Sequence, residues 1–250
     1  MTKESNNKLM DELKKKFRKD FFRCQIWGAS QCGKTYFLTN ILLPEIIKQY
    51  DEVIVFTRSH NNKYYKKALN KLKKNITIIN EDFIDNLNKI RKMQEDTNNI
   101  KKFDKDGNPE YNVNLLIIFD DIIREKDFRN DDFLDLFTNF RHLQCSTILI
   151  SQIVNHAITT QMKANTNIFV MFRLGHYKQR SEIIKLIEEA LMKEAEEKEI
   201  KLEPPVIKRI AKSIYHDNIT SIKYGYVATD DGQILYLPNM TDSSDEEPSS

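Results

Sequence analysis

The residues with the clearest chemistry are Gly28-Ala29-Ser30-Gln31-Cys32-Gly33-Lys34-Thr35. They fit GxxxxGK[ST] without a mismatch, directly after an apolar stretch and directly before a helical pattern. Phosphates are held where several backbone N–H groups converge from one loop. Glycine permits the backbone angles and the close approach that such a loop needs. A helix opening at Thr35 turns its positive dipole end toward the same anion. Lys34 then reaches the β- and γ-phosphates of a nucleoside triphosphate, and the Thr35 hydroxyl is placed to ligate Mg²⁺. A turn can match this pattern by chance. The chain has only six glycines, however, and two of them fall at the required positions between strand and helix.

Three further features suit the same chemistry. LLIIFDD (115–121) is an apolar run ending in two acids, as expected of a buried strand that delivers carboxylates to the phosphates. Asp120 would contact Mg²⁺, and Asp121 would polarise an attacking water. Either acid could instead cap the following turn. Gln152 ends STILISQ, and a polar residue at a strand tip faces the crevice where ligands bind, so it can sense the γ-phosphate or orient water. A polar loop residue is the competing reading. Arg141 and Arg173 are candidate arginine fingers, although the residues alone favour a structural ion pair for each. The five histidines make no metal spacing, and the lysine face over 63–74 is read either as a solvated helix surface or as a DNA contact.

These residues need a scaffold that brings strand tips together. FFRCQIW, EVIVFT (52–57), ITIIN (76–80), LLIIFDD, STILISQ and NIFVMFRL (167–174) read as strands. Helical patterns follow most of them: after Thr35 with Pro44 bending or ending the first part, over 63–74, over 82–93, over 131–143 and over 179–199. The stretch 94–112 is polar, with a turn signal at Asp106-Gly107-Asn108-Pro109, and reads as a loop or small hairpin. After Pro204-Pro205 come a shorter helix and two alternating strands around Asp231-Gly232, a hairpin signature. Strands alternating with helices predict an α/β fold with a mostly parallel central sheet flanked by helices. The organisation reads as a basic arm over 1–20, one domain over 21–238 and an acidic disordered tail over 239–250. Elements beyond about 176 either complete the core or form an appendage.

Composition sets the outer bounds. A 250-residue chain with 40% hydrophobic and 30% charged residues can bury a sizeable core beneath a well-solvated surface. The net charge of +2 conceals a basic arm (Lys14, Lys15, Lys16, Arg18, Lys19) and an acidic C-terminus. Three cysteines without CxxC spacing argue against a zinc site. The odd cysteine count and a charged N-terminus predict a protein that is not secreted. No apolar run approaches a membrane span, so no membrane partner is expected.

Taken in order, the strand–GASQCGKT–helix start, LLIIFDD, FRHLQCSTILISQ and NIFVMFR resemble the poxvirus-type genome-packaging ATPases of large DNA viruses and virophages, within the FtsK/HerA superfamily. The resemblance covers roughly residues 20–175. It implies the additional-strand, RecA-like type of P-loop NTPase fold, with ATP and Mg²⁺ as ligands. It makes Lys34 and Thr35 the nucleotide and Mg²⁺ contacts, Asp120 the Mg²⁺-associated acid and Asp121 the counterpart of the catalytic acid. Gln152 becomes the polar sensor, and Arg141 or Arg173 the finger. It implies a homo-oligomeric ring translocating double-stranded DNA, capsid proteins as partners, and a location in the host cytoplasm at the assembly site or in the virion. Many relatives in the wider superfamily carry Glu where this chain has Asp121, one methylene shorter. A helicase, a nucleotide kinase and a non-enzymatic assembly factor that uses ATP as a switch are the other readings of the residues. No cluster of phosphate-gripping arginines or guanine-reading N/T-K-x-D motif supports a kinase or a GTPase.

Overall fold

A computed structural model describes residues 21–58, 76–98, 102–103, 109–110, 114–122, 133–134, 143–152, 160–221, 226–230 and 233–234, with Phe17, Tyr65, Asp131 and Thr138 as single positions. The strands are β1 (Arg23–Trp27), β2 (Glu52–Thr57), β3 (Ile76–Ile79), β4 (Lys102–Phe103), β5 (Pro109–Glu110), β6 (Leu115–Asp120), β7 (Cys145–Ser151), β8 (Ile168–Phe172), β9 (Tyr226–Asp230) and β10 (Gln233–Ile234). A continuous helical segment, α1, opens at Lys34–Tyr36. It widens to a π-turn over Phe37–Leu42, returns to α over Leu43–Ile46 and tightens to 3-10 over Ile47–Gln49. The other helices are α2 (Phe83–Asn98), α3 (Thr160–Ala164), α4 (Tyr177–Glu197) and α5 (Pro204–Tyr215).

Eight strands form one sheet in the order β10-β9-β8-β1-β7-β6-β2-β3. Every pair from β8 to β3 is parallel, while β9 and β10 return antiparallel at one edge. β7 stands between β1, which leads into the P-loop, and β6, which carries the acids. That is the additional-strand arrangement. The central strands are buried throughout, as parallel strands covered on both faces must be. Alternation divides each strand between two cores. Leu115, Ile117 and Phe119 face the helices α2, α4 and α5, whereas Leu116 and Ile118 face α1. β9 pairs with β8, and α4 and α5 pack into the same core as Trp27 and Leu149, so these C-terminal elements share the sheet and core of the P-loop. No described helix is long and apolar enough to cross a membrane.

Several elements differ from the pattern-based expectation. Pro44 does not end α1. The Leu43 N–H bonds to the Leu38 carbonyl, five residues back, and this wider turn accommodates a residue that has no N–H of its own. α2 runs past Met93 to Asn98, because Gln94, Glu95 and Asp96 contain no breaker and Arg91 pairs with Glu95 one turn on. The remaining polar stretch contains the small antiparallel pair β4–β5. The five-residue α3 is too short to leave a periodicity. Phe17, within the stretch read as a polar arm, is fully buried and packs edge-on against Phe22, centroids 4.4 Å apart. Most of 63–74 and 131–143, including Arg141, lies outside the described residues, as do Asp231-Gly232 and 235–250.

Candidate active site

The P-loop leaves β1 at Trp27 and is anchored to the tips of both neighbouring strands. Gly28 N–H donates to the Ser151 carbonyl of β7 at 3.2 Å, and Ala29 N–H to the Arg173 carbonyl just past β8 at 2.8 Å. Gly28 has no room for a side chain, since an added Cβ would lie 2.7 Å from the Cβ of Phe172 and 2.5 Å from the Cys32 sulfur. Gly33 is required for its backbone, with φ at 101°, in the left-handed region where it starts α1. Gln31 reaches the same region at φ 61°. Ser30 and Gln31 are exposed, whereas Cys32 and Thr35 are half-buried. Burial pushes the Cys32 thiol up, and the Lys34 charge only partly opposes it, so Cys32 is a poor nucleophile.

Lys34 is 6% exposed, and its Nζ donates to the carbonyls of Gly28 and Ala29, both at 2.8 Å. The ammonium therefore lies inside the curl of the loop. Its charge is felt by Asp120, which places the tip of β6 opposite the loop. Asp120 is 5% exposed; burial, then the neighbouring Asp121 charge, raise its pKa from 3.8 to about 6. The nearby Tyr65 hydroxyl and the charge of Lys34 pull the other way. Tyr65 is fully buried, and its own pKa is raised well above the usual value, first by burial and then by Asp120. Sequence reading did not find Tyr65. It lies in the helical pattern over 63–74, which stands out in the sequence for its lysine face, and nothing in that pattern signals proximity to Asp120.

Asp121 is exposed and has φ at 50°, a left-handed conformation that Asp tolerates better than most residues. Its N–H donates to the Ile150 carbonyl at 3.3 Å. Its Oδ2 accepts a hydrogen bond from Gln152 Nε2 at 2.7 Å. Thus the consecutive residues Ile150, Ser151 and Gln152 hold the Asp121 backbone, the Gly28 backbone and the Asp121 side chain in turn. The fold brings Lys34, Asp120, Asp121 and Gln152 to the ends of adjacent strands. Arg173 is exposed at the tip of β8, beside Tyr215 and on the far side of the loop from Asp121. Arg141 lies outside the described residues.

β1 is also fixed from below. Gln25 donates to the Thr166 hydroxyl at 2.6 Å and accepts from Trp27 Nε1 at 2.9 Å, and Thr166 donates to the Met162 carbonyl at 2.7 Å. This buried chain ties the P-loop strand to α3, which follows Gln152 in sequence.

Among the described residues, no three His, Cys, Asp or Glu side chains gather into a metal cluster. The donor set near the loop is the Thr35 hydroxyl and the Asp120 carboxylate. It suits Mg²⁺, which takes one or two protein oxygens and completes its shell with water and phosphate oxygens.

Known proteins show the same architecture. The genome packaging NTPase B204 from Sulfolobus turreted icosahedral virus 2, solved with AMP, is 15% identical, with a TM-score of 0.55 over 88% of this chain and 98% of that one. B204 from Sulfolobus turreted icosahedral virus is 13% identical, with a TM-score of 0.55 over 87% of this chain and 98% of that one. The pCW3 conjugation coupling protein TcpA, solved with ATPγS, is 16% identical, with a TM-score of 0.53 over 86% of this chain and 59% of that one. These likenesses establish the P-loop NTPase fold. No curated protein matches the sequence. The model of the Poxvirus A32 protein family matches residues 11–202, from within the basic arm through the whole of α4, and the chain therefore belongs to that family.

Proposed function

We propose that this chain is an ATP-hydrolysing motor that translocates double-stranded DNA and packages a viral genome into a capsid. The observation that carries the hydrolytic part is the Gln152–Asp121 hydrogen bond of 2.7 Å at the mouth of a complete P-loop. A site that only stored nucleotide would have no use for an exposed carboxylate oriented by an amide beside the phosphate seat. Membership of the A32 family, and likeness to the genome packaging NTPase B204, support the motor part.

The residues divide the work. Ser30 to Gly33 offer backbone N–H groups to the β- and γ-phosphates, the Gly28 and Ala29 N–H groups being held by the neighbouring strand ends, and Lys34 exchanges its loop carbonyls for phosphate oxygens. Thr35 and Asp120 would hold Mg²⁺, which when bound neutralises charge on the phosphate oxygens. Asp121 accepts the proton of the attacking water, and Gln152 fixes the direction of its carboxylate. The motor acts as a homo-oligomeric ring in which Arg141 or Arg173 supplies a positive charge to the transition state, Arg173 from an exposed strand tip. Capsid proteins are its partners, at the assembly site in the host cytoplasm or in the virion.

The test is ATP turnover with and without double-stranded DNA, together with a mass measurement in ATP. Stimulation by DNA and a ring-sized mass are expected. Equal rates in both conditions, from a protein that stays monomeric with ATP, would overturn the motor.

A further inference from the structure

α5 differs in charge from the other long helices. Its twelve residues carry Lys208, Arg209 and Lys212 and no carboxylate. α4, with 21 residues, and α2, with 16, both mix acids with bases. α5 also has two distinct faces. Ile207, Ala211, Ile214 and Tyr215 are buried, and all three cations are exposed. Among the described residues, none of the three is engaged in an ion pair. Acids occur only at the ends. Glu203 is the N-cap, and Asp217, past the C-terminus, is already engaged by Ser213 at 2.8 Å and His216 at 3.2 Å. Lys208 and Lys212 stand one turn apart, a like-charge spacing that weakens a helix by itself. Tertiary packing of the apolar face holds α5 in place, and its outer face is left as a cationic ridge.

We infer that this ridge binds the phosphate backbone of double-stranded DNA, which rests on the motor reading of the P-loop site. Four residues of helix rise about 6 Å, and a DNA strand advances about 3.4 Å per phosphate. Lys208 and Lys212 therefore span about two phosphates, with Arg209 beside them. Contacts of this kind carry no base information, which suits a polymer gripped wherever it lies. The ridge also has a short path to the nucleotide. One turn beyond Lys212, the buried Tyr215 lies beside Leu174, Arg180 and Arg173. The Arg173 carbonyl accepts from Ala29 of the P-loop at 2.8 Å. A load on α5 thus acts on the segment that holds one side of the loop.

The experiment measures binding of the full-length protein to a random-sequence DNA duplex across a salt series, in wild type and in the triple variant Lys208→Gln, Arg209→Gln, Lys212→Gln. Loss of three phosphate contacts lowers the slope of log K against log salt by about 2.7, or about 0.9 per contact, and weakens binding at least about tenfold at low salt. Basal ATP turnover stays unchanged and its stimulation by DNA falls. Lys212→Gln alone lowers the slope by about 0.9, and the charge-keeping pair Lys208→Arg, Lys212→Arg binds like wild type; these two arms keep the test decisive if the triple variant folds poorly. Equal slopes in wild type and variants would overturn the inference while leaving the motor standing. The same result is expected if α5 instead seats the acidic stretch Asp242–Glu247 of this chain. No DNA binding by wild type would remove both readings.

Discussion

Gln152 and Asp121, 31 positions apart in sequence, are joined by a hydrogen bond of 2.7 Å from Nε2 to Oδ2. The amide engages one carboxylate oxygen and leaves the other free of it. A carboxylate so held has a defined direction before nucleotide arrives, and the left-handed backbone of Asp121 adds to that constraint.

Removing either partner should therefore reduce kcat more than it changes KM. Asp121→Asn is expected to lower kcat at least about 100-fold, in the range seen for loss of a general base. Gln152→Leu is expected to cost on the order of tenfold, as misorientation does. Steady-state ATP turnover checks both. A Gln152→Leu protein with unchanged kcat and a raised KM would make Gln152 a ground-state contact instead.

Lys34 braces the loop through two carbonyls and should contribute little to global folding. Lys34→Ala is expected to keep the far-UV spectrum of wild type while losing at least about 100-fold in kcat/KM, in line with removing one charge-stabilising donor. Loss of the helical spectrum would show a structural role that the two loop hydrogen bonds do not suggest.

Gly28 in the loop and Gly175 beyond β8 should respond differently to a methyl group. Gly28→Ala forces a Cβ against Phe172 and should destabilise by about 1–3 kcal/mol. Gly175→Ala meets nothing within 4 Å and should stay within about 0.5 kcal/mol of wild type. Urea unfolding midpoints of the two proteins distinguish these outcomes.

Asp120 gives a pH signature in the nucleotide-free protein. Its folded pKa of about 6 lies above the usual 3.8, so the folded state holds the proton more tightly than the unfolded one. The penalty for ionising it is absent below the unfolded value, grows as pH rises from about 4 to 6 and is fully present above about 6, where it reaches about 3 kcal/mol. Asp120→Asn should therefore be more stable than wild type at neutral pH, with the advantage shrinking as pH falls below about 6. ATP turnover, which needs the carboxylate, should be lost in the same variant. Denaturant melts at several pH values measure the first effect. A difference independent of pH would remove burial as its cause.

How much was legible depended on whether a feature is local. β6 was readable because a strand buried on both faces must be apolar along its length, so the acids at its end stand out. The P-loop was readable because its backbone angles demand glycine at Gly33 and its packing demands glycine at Gly28. The position of β7 between β1 and β6 came from family resemblance, since no periodicity encodes strand order. Tyr65 was hidden because its burial depends on a sheet assembled from distant segments. Of the two outcomes expected at Pro44, a bend or an end, the end does not occur, because the local rule assumes an α-register that a π-turn escapes. The pairing of Gln152 with Asp121 could be suspected from roles, but a distance across two strand tips exists only once the sheet is formed.

The carbonyls of Ile150 and Ser151 receive the N–H groups of Asp121 and Gly28. One strand end thus acts as a gauge for the whole reaction. The separation between the P-loop and Asp121 is set by a single step of backbone, independent of how far the sheet twists elsewhere. A motor that is repeatedly loaded and released could flex its edges, at β3 or at β10, and still return the same spacing at each firing. The reference point lies in the inserted strand, which carries none of the phosphate-binding residues itself.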